Sequence, residues 1–240
     1  MRPISNNSMS IYKNCPHSYE LNYIYGKQGM FFEMSYMETG GFVHDAIDKY
    51  YKHYRDVNAT ENEIILAVYG ELKKVWDRSL RLELLKKAYD CIVNFAEWEY
   101  ENISTNPFLN PLSEVEIPEE GYFGKIDYVD LINKKVIDWK TNTKAMLSHG
   151  YRMQASIYKI LYEAHFKEEL THFYFFFMYP NEWRTVKFGN EKQKKADDEV
   201  RELTKKIQQS HESGIFPKEP RTKNGCNNCN YKYYCRVLNI

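Results

Sequence analysis

The chain lacks most of the features that would send a protein out of the cytosol. Met1 to Ser10 has no charged-then-apolar plan of a signal peptide. The longest apolar run, Phe173 to Tyr179, falls far short of the roughly 20 residues that a membrane span needs. Net charge is absent, with Lys plus Arg and Asp plus Glu at 33 each, so bulk charge does not advertise a nucleic-acid partner. There is no Gly-x4-Gly-Lys-Ser/Thr phosphate loop, because Gly26-Lys27 and Gly124-Lys125 lack the rest of it, and this excludes a nucleotide-driven motor of that type within these residues. Internal repeats and low-complexity segments are also missing. The expectation is a soluble, cytoplasmic protein without membrane contact. Hydrophobic residues make up 43%, enough for a substantial core.

The charge that is present is unevenly placed. From Ala88 to Gly124 there is no Lys, Arg or His, against eight acids (Asp90, Glu97, Glu99, Glu101, Glu114, Glu116, Glu119, Glu120). From Lys218 to Arg236 five basic residues (Lys218, Arg221, Lys223, Lys232, Arg236) face one acid, Glu219. The basic end is a plausible track for a phosphate backbone, with the acidic block turned away; two solvated surfaces of opposite sign read equally well. Aromatics reach 16%, with 21 tyrosines. Such rings can stack on single-stranded bases, but most sit at apolar positions that read as core.

Periodicity predicts helices over Met9 to Tyr25 (interrupted by Pro16), from Gly40-Gly41 to about Tyr54, over Glu61 to Arg78 and over Ser79 to Glu101. Strands follow at Glu114–Ile117, Tyr122–Leu131 and Lys135–Trp139. Then come a helix over Gly150–Phe166, strands at His172–Tyr179 and Trp183–Phe188, and a mixed-charge helix over Glu191–Glu212. The fold class is α+β, mixed α/β around one small sheet. We expect one domain over 1–240: a mainly helical region at 1–105, a core at 106–190, and a helix and cysteine segment at 191–240.

The hairpin from Gly124 to Lys140 carries the chemistry. Asp138 and Lys140 are two apart on a strand and share a face. A turn near Asn133-Lys134 brings Asp127 level with them. Two carboxylates and an ammonium at one spot suit a divalent metal and an activated water. Taken alone the trio reads as exposed-strand charge, but Asp138 lies between Val136-Ile137 and Trp139, where a charge is costly unless paired or metal-bound. Gln154 and Tyr158, four apart, share a helical face. His44 follows Gly40-Gly41, and Glu114 and Glu116 share a face of the preceding strand.

With Gly40-Gly41-Phe42-Val43-His44, Gly124-Lys125-Ile126-Asp127, Asp138-Trp139-Lys140 and Gln154-Ala155-Ser156-Ile157-Tyr158 in order, the chain resembles the RecB-like branch of the PD-(D/E)xK nuclease superfamily. That resemblance implies a restriction-endonuclease-like αβββαβ core. It implies that His44, Asp127, Asp138 and the Trp139 carbonyl bind Mg²⁺ or Mn²⁺. Lys140 would hold and help deprotonate the attacking water and stabilise charge on the phosphate, with Gln154 and Tyr158 supporting it or positioning the strand. Glu114 is a further candidate, Glu116 a weaker one.

Of five cysteines, Cys226, Cys229 and Cys235 cluster at the C-terminal end and Cys15 stands alone near the start. In an intracellular chain these are not read as disulfides. Four thiolates suit either a structural Zn²⁺ or a [4Fe–4S] cluster. One cysteine before the core and three after it resembles the iron–sulfur nucleases of this branch, among them the AddB nuclease domain and the fourth CRISPR-associated (Cas) family. The resemblance thus implies [4Fe–4S] at Cys15, Cys226, Cys229 and Cys235, stapling the chain ends. Cys91 reads as a buried apolar residue. The implied activity is a free-standing exonuclease on single-stranded DNA, with a CRISPR adaptation integrase complex as a potential partner. Structure-specific endonuclease and catalytically silent DNA-binding adaptor are the alternatives.

Overall fold

The computed structural model describes residues 2–27, 29, 35–76, 81–119, 121–222, 225–227 and 229–237. Two short helices open the chain, α1 (Asn6–Asn14) and α2 (Pro16–Tyr23). Ser5 caps α1 through a reciprocal bond with Ser8. Cys15 breaks the run in an extended conformation, and Pro16 restarts it at the first turn, where its missing N–H costs nothing. The predicted interruption therefore falls at Cys15-Pro16.

Helices α3 (Ser35–His53), α4 (Glu61–Val75) and α5 (Leu82–Thr105) follow. The sequence predicts a helix that opens at the glycine pair; instead α3 begins at Ser35 and carries Gly40 and Gly41 inside it. A glycine there weakens a helix, but a Cβ on Gly40 would lie 3.2 Å from Thr141 Oγ1, so the bare backbone lets α3 approach the sheet. The expected junction of the next two helices, Arg78 and Ser79, lies outside the described residues. Helix α5 runs on past Glu101 to Thr105.

Five strands form one sheet in the order β1 (Leu112–Glu119), β2 (Tyr122–Asp130), β3 (Lys135–Lys140), β4 (His172–Phe177), β5 (Glu182–Lys187). β1, β2 and β3 make an antiparallel meander, whereas β3 and β4 are parallel. A parallel pair needs a crossover, and α6 (His149–Phe166) supplies it. β5 returns antiparallel on β4. Helix α7 (Glu191–Ser213) and the short α8 (Lys232–Val237), which periodicity did not predict, are the last elements among the described residues.

The sheet separates two cores. On one face α1, α2, α6 and α7 pack over Phe173, Phe175 and Phe177. On the other, α3, α4 and α5 pack over Tyr128, Trp139 and Phe176, with Trp98 of α5 edge-on to both Tyr128 and Trp139. Cys91 is fully buried in this second core, and burial pushes its thiol up to about 12. No helix among the described residues is long and apolar enough to cross a membrane.

The acidic block at 88–124 is not simply a solvated surface. Glu99 is fully buried on α5, accepting from Arg55, Tyr51 and Asn102. Glu114 also points inward, its side chain 6% exposed. Burial carries both against their preference for water, and in each case a cation answers it.

Candidate active site

The register Tyr128↔Ile137 and Val129↔Val136 sets Asp127 opposite Asp138 across the hairpin, as the turn position predicts. Asp127 Oδ2 accepts the Trp139 N–H at 2.7 Å, which locks the carboxylate to the neighbouring strand. Its Oδ1 lies 3.4 Å from His44 Nδ1 on α3. The same imidazole nitrogen lies 3.5 Å from Glu114 Oε1 on β1. The donor atoms of His44, Glu114 and Asp127 all lie within 4.8 Å of one another, a separation that a single divalent ion can span.

Glu114 reaches this point by leaving normal strand geometry. Its φ is 49°, in the left-handed region that side chains other than glycine seldom occupy. Such strain persists where surrounding structure over-determines it, and functional sites are where it collects. Glu116, expected to share its face, is exposed and takes no part.

Asp138 faces the other way along the site. Its Oδ1 accepts from Gln154 Nε2 at 2.6 Å and its Oδ2 touches the Lys140 ammonium. Lys140 Nζ also donates to Gln154 Oε1 at 3.1 Å and lies 4.9 Å from the centre of the Tyr151 ring. One amide thus bridges the acid and the lysine. Tyr158, one turn on, accepts from Gln154 Nε2 at 3.4 Å and donates to the Lys125 carbonyl at 2.8 Å. Gly124 makes this closeness of α6 to β2 feasible: a Cβ there would sit 2.4 Å from Leu161 Cδ1 and 3.1 Å from Tyr158 Cε1.

Protonation follows from burial and charge. Burial alone would lower the His44 pKa, but the charges and hydrogen bonds of Asp127 and Glu114 outweigh it and lift it to about 10. Burial raises Asp138 to about 6 against the pull of Lys140. For Lys140 burial is again the largest influence, and it lowers, yet Asp138 and Asp127 leave the ammonium above its ordinary value. Glu114 ends below the usual range, because His44 and Lys125 overcome its desolvation. Two buried oxygens, Glu114 Oε1 and Asp138 Oδ2, have no well-directed hydrogen bond. The Lys140 ammonium answers Asp138 Oδ2, whereas Glu114 Oε1 faces the His44 ring, a setting that fits a hard divalent cation.

His44, Glu114, Asp127, Asp138, Lys140, Gln154 and Tyr158 therefore meet, while Glu116 does not, and the emphasis changes in one respect. The tight donor group contains Glu114 with His44 and Asp127, while Asp138 sits beside it, engaged with Lys140 and Gln154. Two partners were not picked out from the sequence, Lys125 on Glu114 and Tyr151 against Lys140. For Lys125 the signal was there: Lys125-x-Asp127 on β2 mirrors Asp138-x-Lys140 on β3.

The four cysteines come together elsewhere. Cys15, Cys226, Cys229 and Cys235 line one cavity of about 400 Å³, with Cys15 supplied by the break between α1 and α2. The C-terminal segment is tied to that break by His17 N–H to Pro217 O at 3.3 Å and Arg221 N–H to Asn14 O at 2.8 Å. Burial raises the Cys235 thiol, Lys218 opposes it, and the three other cysteines add to the rise. The four cysteines line this cavity, but among the described residues their sulfurs do not form a compact donor group like that of His44, Glu114 and Asp127.

No curated protein matches this chain in sequence. Eleven chains of solved structures do match. One of them, described as the crystal structure of SSO0001, is 17% identical over 83% of this chain and 96% of its own, with a TM-score of 0.37. That likeness is too loose to bear on the chemistry. The profile of the PD-(D/E)XK nuclease superfamily, by contrast, matches residues 3–236. With that match over nearly its whole length, and a mixed five-stranded sheet flanked by helices, the chain belongs to the PD-(D/E)XK nuclease superfamily.

Proposed function

We propose that this protein is a metal-dependent DNA exonuclease of the RecB-like branch, acting on single-stranded DNA ends, with a [4Fe–4S] cluster at Cys15, Cys226, Cys229 and Cys235. The observation that carries the nuclease reading is the Asp138–Gln154–Lys140 bridge set beside the His44, Glu114 and Asp127 donors. His44, Glu114, Asp127, Asp138 and the Trp139 carbonyl are the groups that would hold Mn²⁺ or Mg²⁺. When bound, such an ion supplies Lewis acidity at the scissile phosphate and makes water a better nucleophile.

The chain's own residues do the rest. Lys140 keeps its proton at neutral pH, so it serves as a fixed cation that orients the attacking water and stabilises charge growing on the phosphate. Gln154 holds Lys140 and Asp138 in one geometry, and Tyr158 anchors Gln154 to the backbone of β2. A silent DNA-binding adaptor has no use for this arrangement. The exonuclease activity, the single-strand preference and a CRISPR adaptation integrase complex as partner rest on the motif resemblance.

Single-stranded DNA labelled at either end, linear and circular, incubated with Mn²⁺, tests the reading. Stepwise release from linear strands with circles untouched is expected; cleavage of circles makes the protein an endonuclease. Degradation that survives both Asp138→Ala and Lys140→Ala sinks the mechanism. Protein purified without oxygen is expected to be brown and to contain iron and acid-labile sulfide; zinc in place of iron overturns the cluster assignment.

A further inference from the structure

Lys125 stands where a metal pocket has no obvious need of a lysine. Its Nζ lies 2.5 Å from Glu114 Oε2, while Glu114 Oε1 faces His44. The two side chains differ sharply in setting, Lys125 being 43% exposed and Glu114 6%. The buried acid is thus held from the solvent side by a half-exposed lysine. Asp45 and Asp48 on α3 are near enough to influence Lys125, but Asp48 is occupied by Lys52 and Ser113 and Asp45 is exposed. Lys140 cannot take the same part, since Asp138, Gln154 and the Tyr151 ring enclose it.

Charge counting gives this arrangement a direction. Without a divalent ion, the carboxylates of Glu114, Asp127 and Asp138 face two lysines, Lys125 and Lys140. With the ion, the same three carboxylates face two ionic charges and two lysines. The site then carries one positive charge in excess. A phosphodiester carries one negative charge. The most exposed member of the set is Lys125.

Resting on the nuclease reading above, we infer that Lys125 is an internal counter-ion: it neutralises Glu114 while no divalent ion is bound, and ion uptake releases it to pair with a phosphate of the substrate strand. The pairing makes metal and nucleic-acid binding interdependent through one side chain. Lys125 acts here as a positioning residue for Glu114 and as a contact for the strand.

Titration calorimetry with Mn²⁺ alone, on wild type and Lys125→Met, tests the first half. Removing the competing cation is expected to tighten Mn²⁺ binding roughly tenfold. In a Glu114→Gln background the same change is expected to do nothing, because the pair is already broken. The second half is read by single-stranded DNA binding, with Ca²⁺ in place of the catalytic ion and again in chelator. With Ca²⁺, Lys125→Met is expected to weaken binding about tenfold and to reduce the salt slope by about one; in chelator it should bind like wild type. Lys125→Gln, which keeps a polar tip, serves if Lys125→Met melts early. Unchanged or weaker Mn²⁺ binding overturns the inference, as does an equal loss of DNA affinity with and without the ion, and both leave the nuclease reading standing. A wild type that takes up Mn²⁺ but binds no DNA overturns that reading and the release step with it.

Discussion

The acidic pocket and the cysteine cavity each gather side chains from distant parts of the chain, but they are held together in different ways. In the pocket, strand register, a helix packed against Gly124 and a bridging amide fix the groups before any ion arrives. In the cavity, the described sulfurs are weakly engaged: Cys229 lies 3.5 Å from Ser18 Oγ and accepts from the Tyr231 N–H at 3.4 Å, and the other three make no hydrogen bond through sulfur. The elements around it are the short helices α1, α2 and α8 rather than the sheet. A preformed site can lose a catalytic group and keep its shape. A site whose ligands hold each other weakly depends on its occupant for shape, so its residues act first on stability.

That contrast can be broken most directly by substitution. Asp138→Asn and Lys140→Ala are each expected to slow hydrolysis of single-stranded DNA by about 10³-fold or more while shifting Tm by only about 2 °C. Single-turnover cleavage and thermal melting would check both. Cys229→Ser should do the reverse, with lower soluble yield and Tm but a smaller loss of cleavage per folded molecule. Abolished cleavage at unchanged Tm would erase the distinction. Gly124→Ala lies between the two, because it drives a methyl into Leu161 and tilts Gln154 and Tyr158 with α6. A loss of roughly 1–3 kcal/mol is expected in urea unfolding, partly recovered by adding Leu161→Ala.

Smaller effects sharpen the picture of the preformed pocket. His44 is lifted from 6.5 to about 10 in the ion-free protein, so it is protonated at neutral pH. Its contribution to stability is complete below pH 6.5 and fades as pH rises through about 10. The ion-free protein should therefore melt lower at pH 10 than at pH 7. Mn²⁺ uptake at pH 7.5 should release about one proton, read by calorimetry in buffers of different ionisation enthalpy. Tyr158→Phe removes the bond to the Lys125 carbonyl and should cost about 1 kcal/mol in stability with a few-fold loss of rate.

Much of this was legible in the chain because short-range rules govern it. A period of two put Asp138 and Lys140 on one face, and the turn near Asn133-Lys134 fixed Asp127 beside them. The helical step of four joined Gln154 to Tyr158. Pro16 marked the break at which Cys15 is presented. What escaped depends on tertiary placement. Gly40-Gly41 reads as a helix start, yet the pair lies inside α3 because that helix must approach Thr141. Glu99 reads as one acid in a solvated block, yet Arg55, far off in sequence, draws it inside. Glu114 and Glu116 look equivalent by alternation, and only the left-handed turn of the backbone at Glu114 tells them apart.

Backbone at that position is a conflict between durability and use. A glutamate held at φ 49° costs of order 1–3 kcal/mol, which a glycine would not incur. A selection for heat-resistant variants would therefore favour Glu114→Gly early, and its winners would be sturdier proteins with a blunted pocket. A stabilisation campaign on this chain should hold residue 114 fixed before anything else.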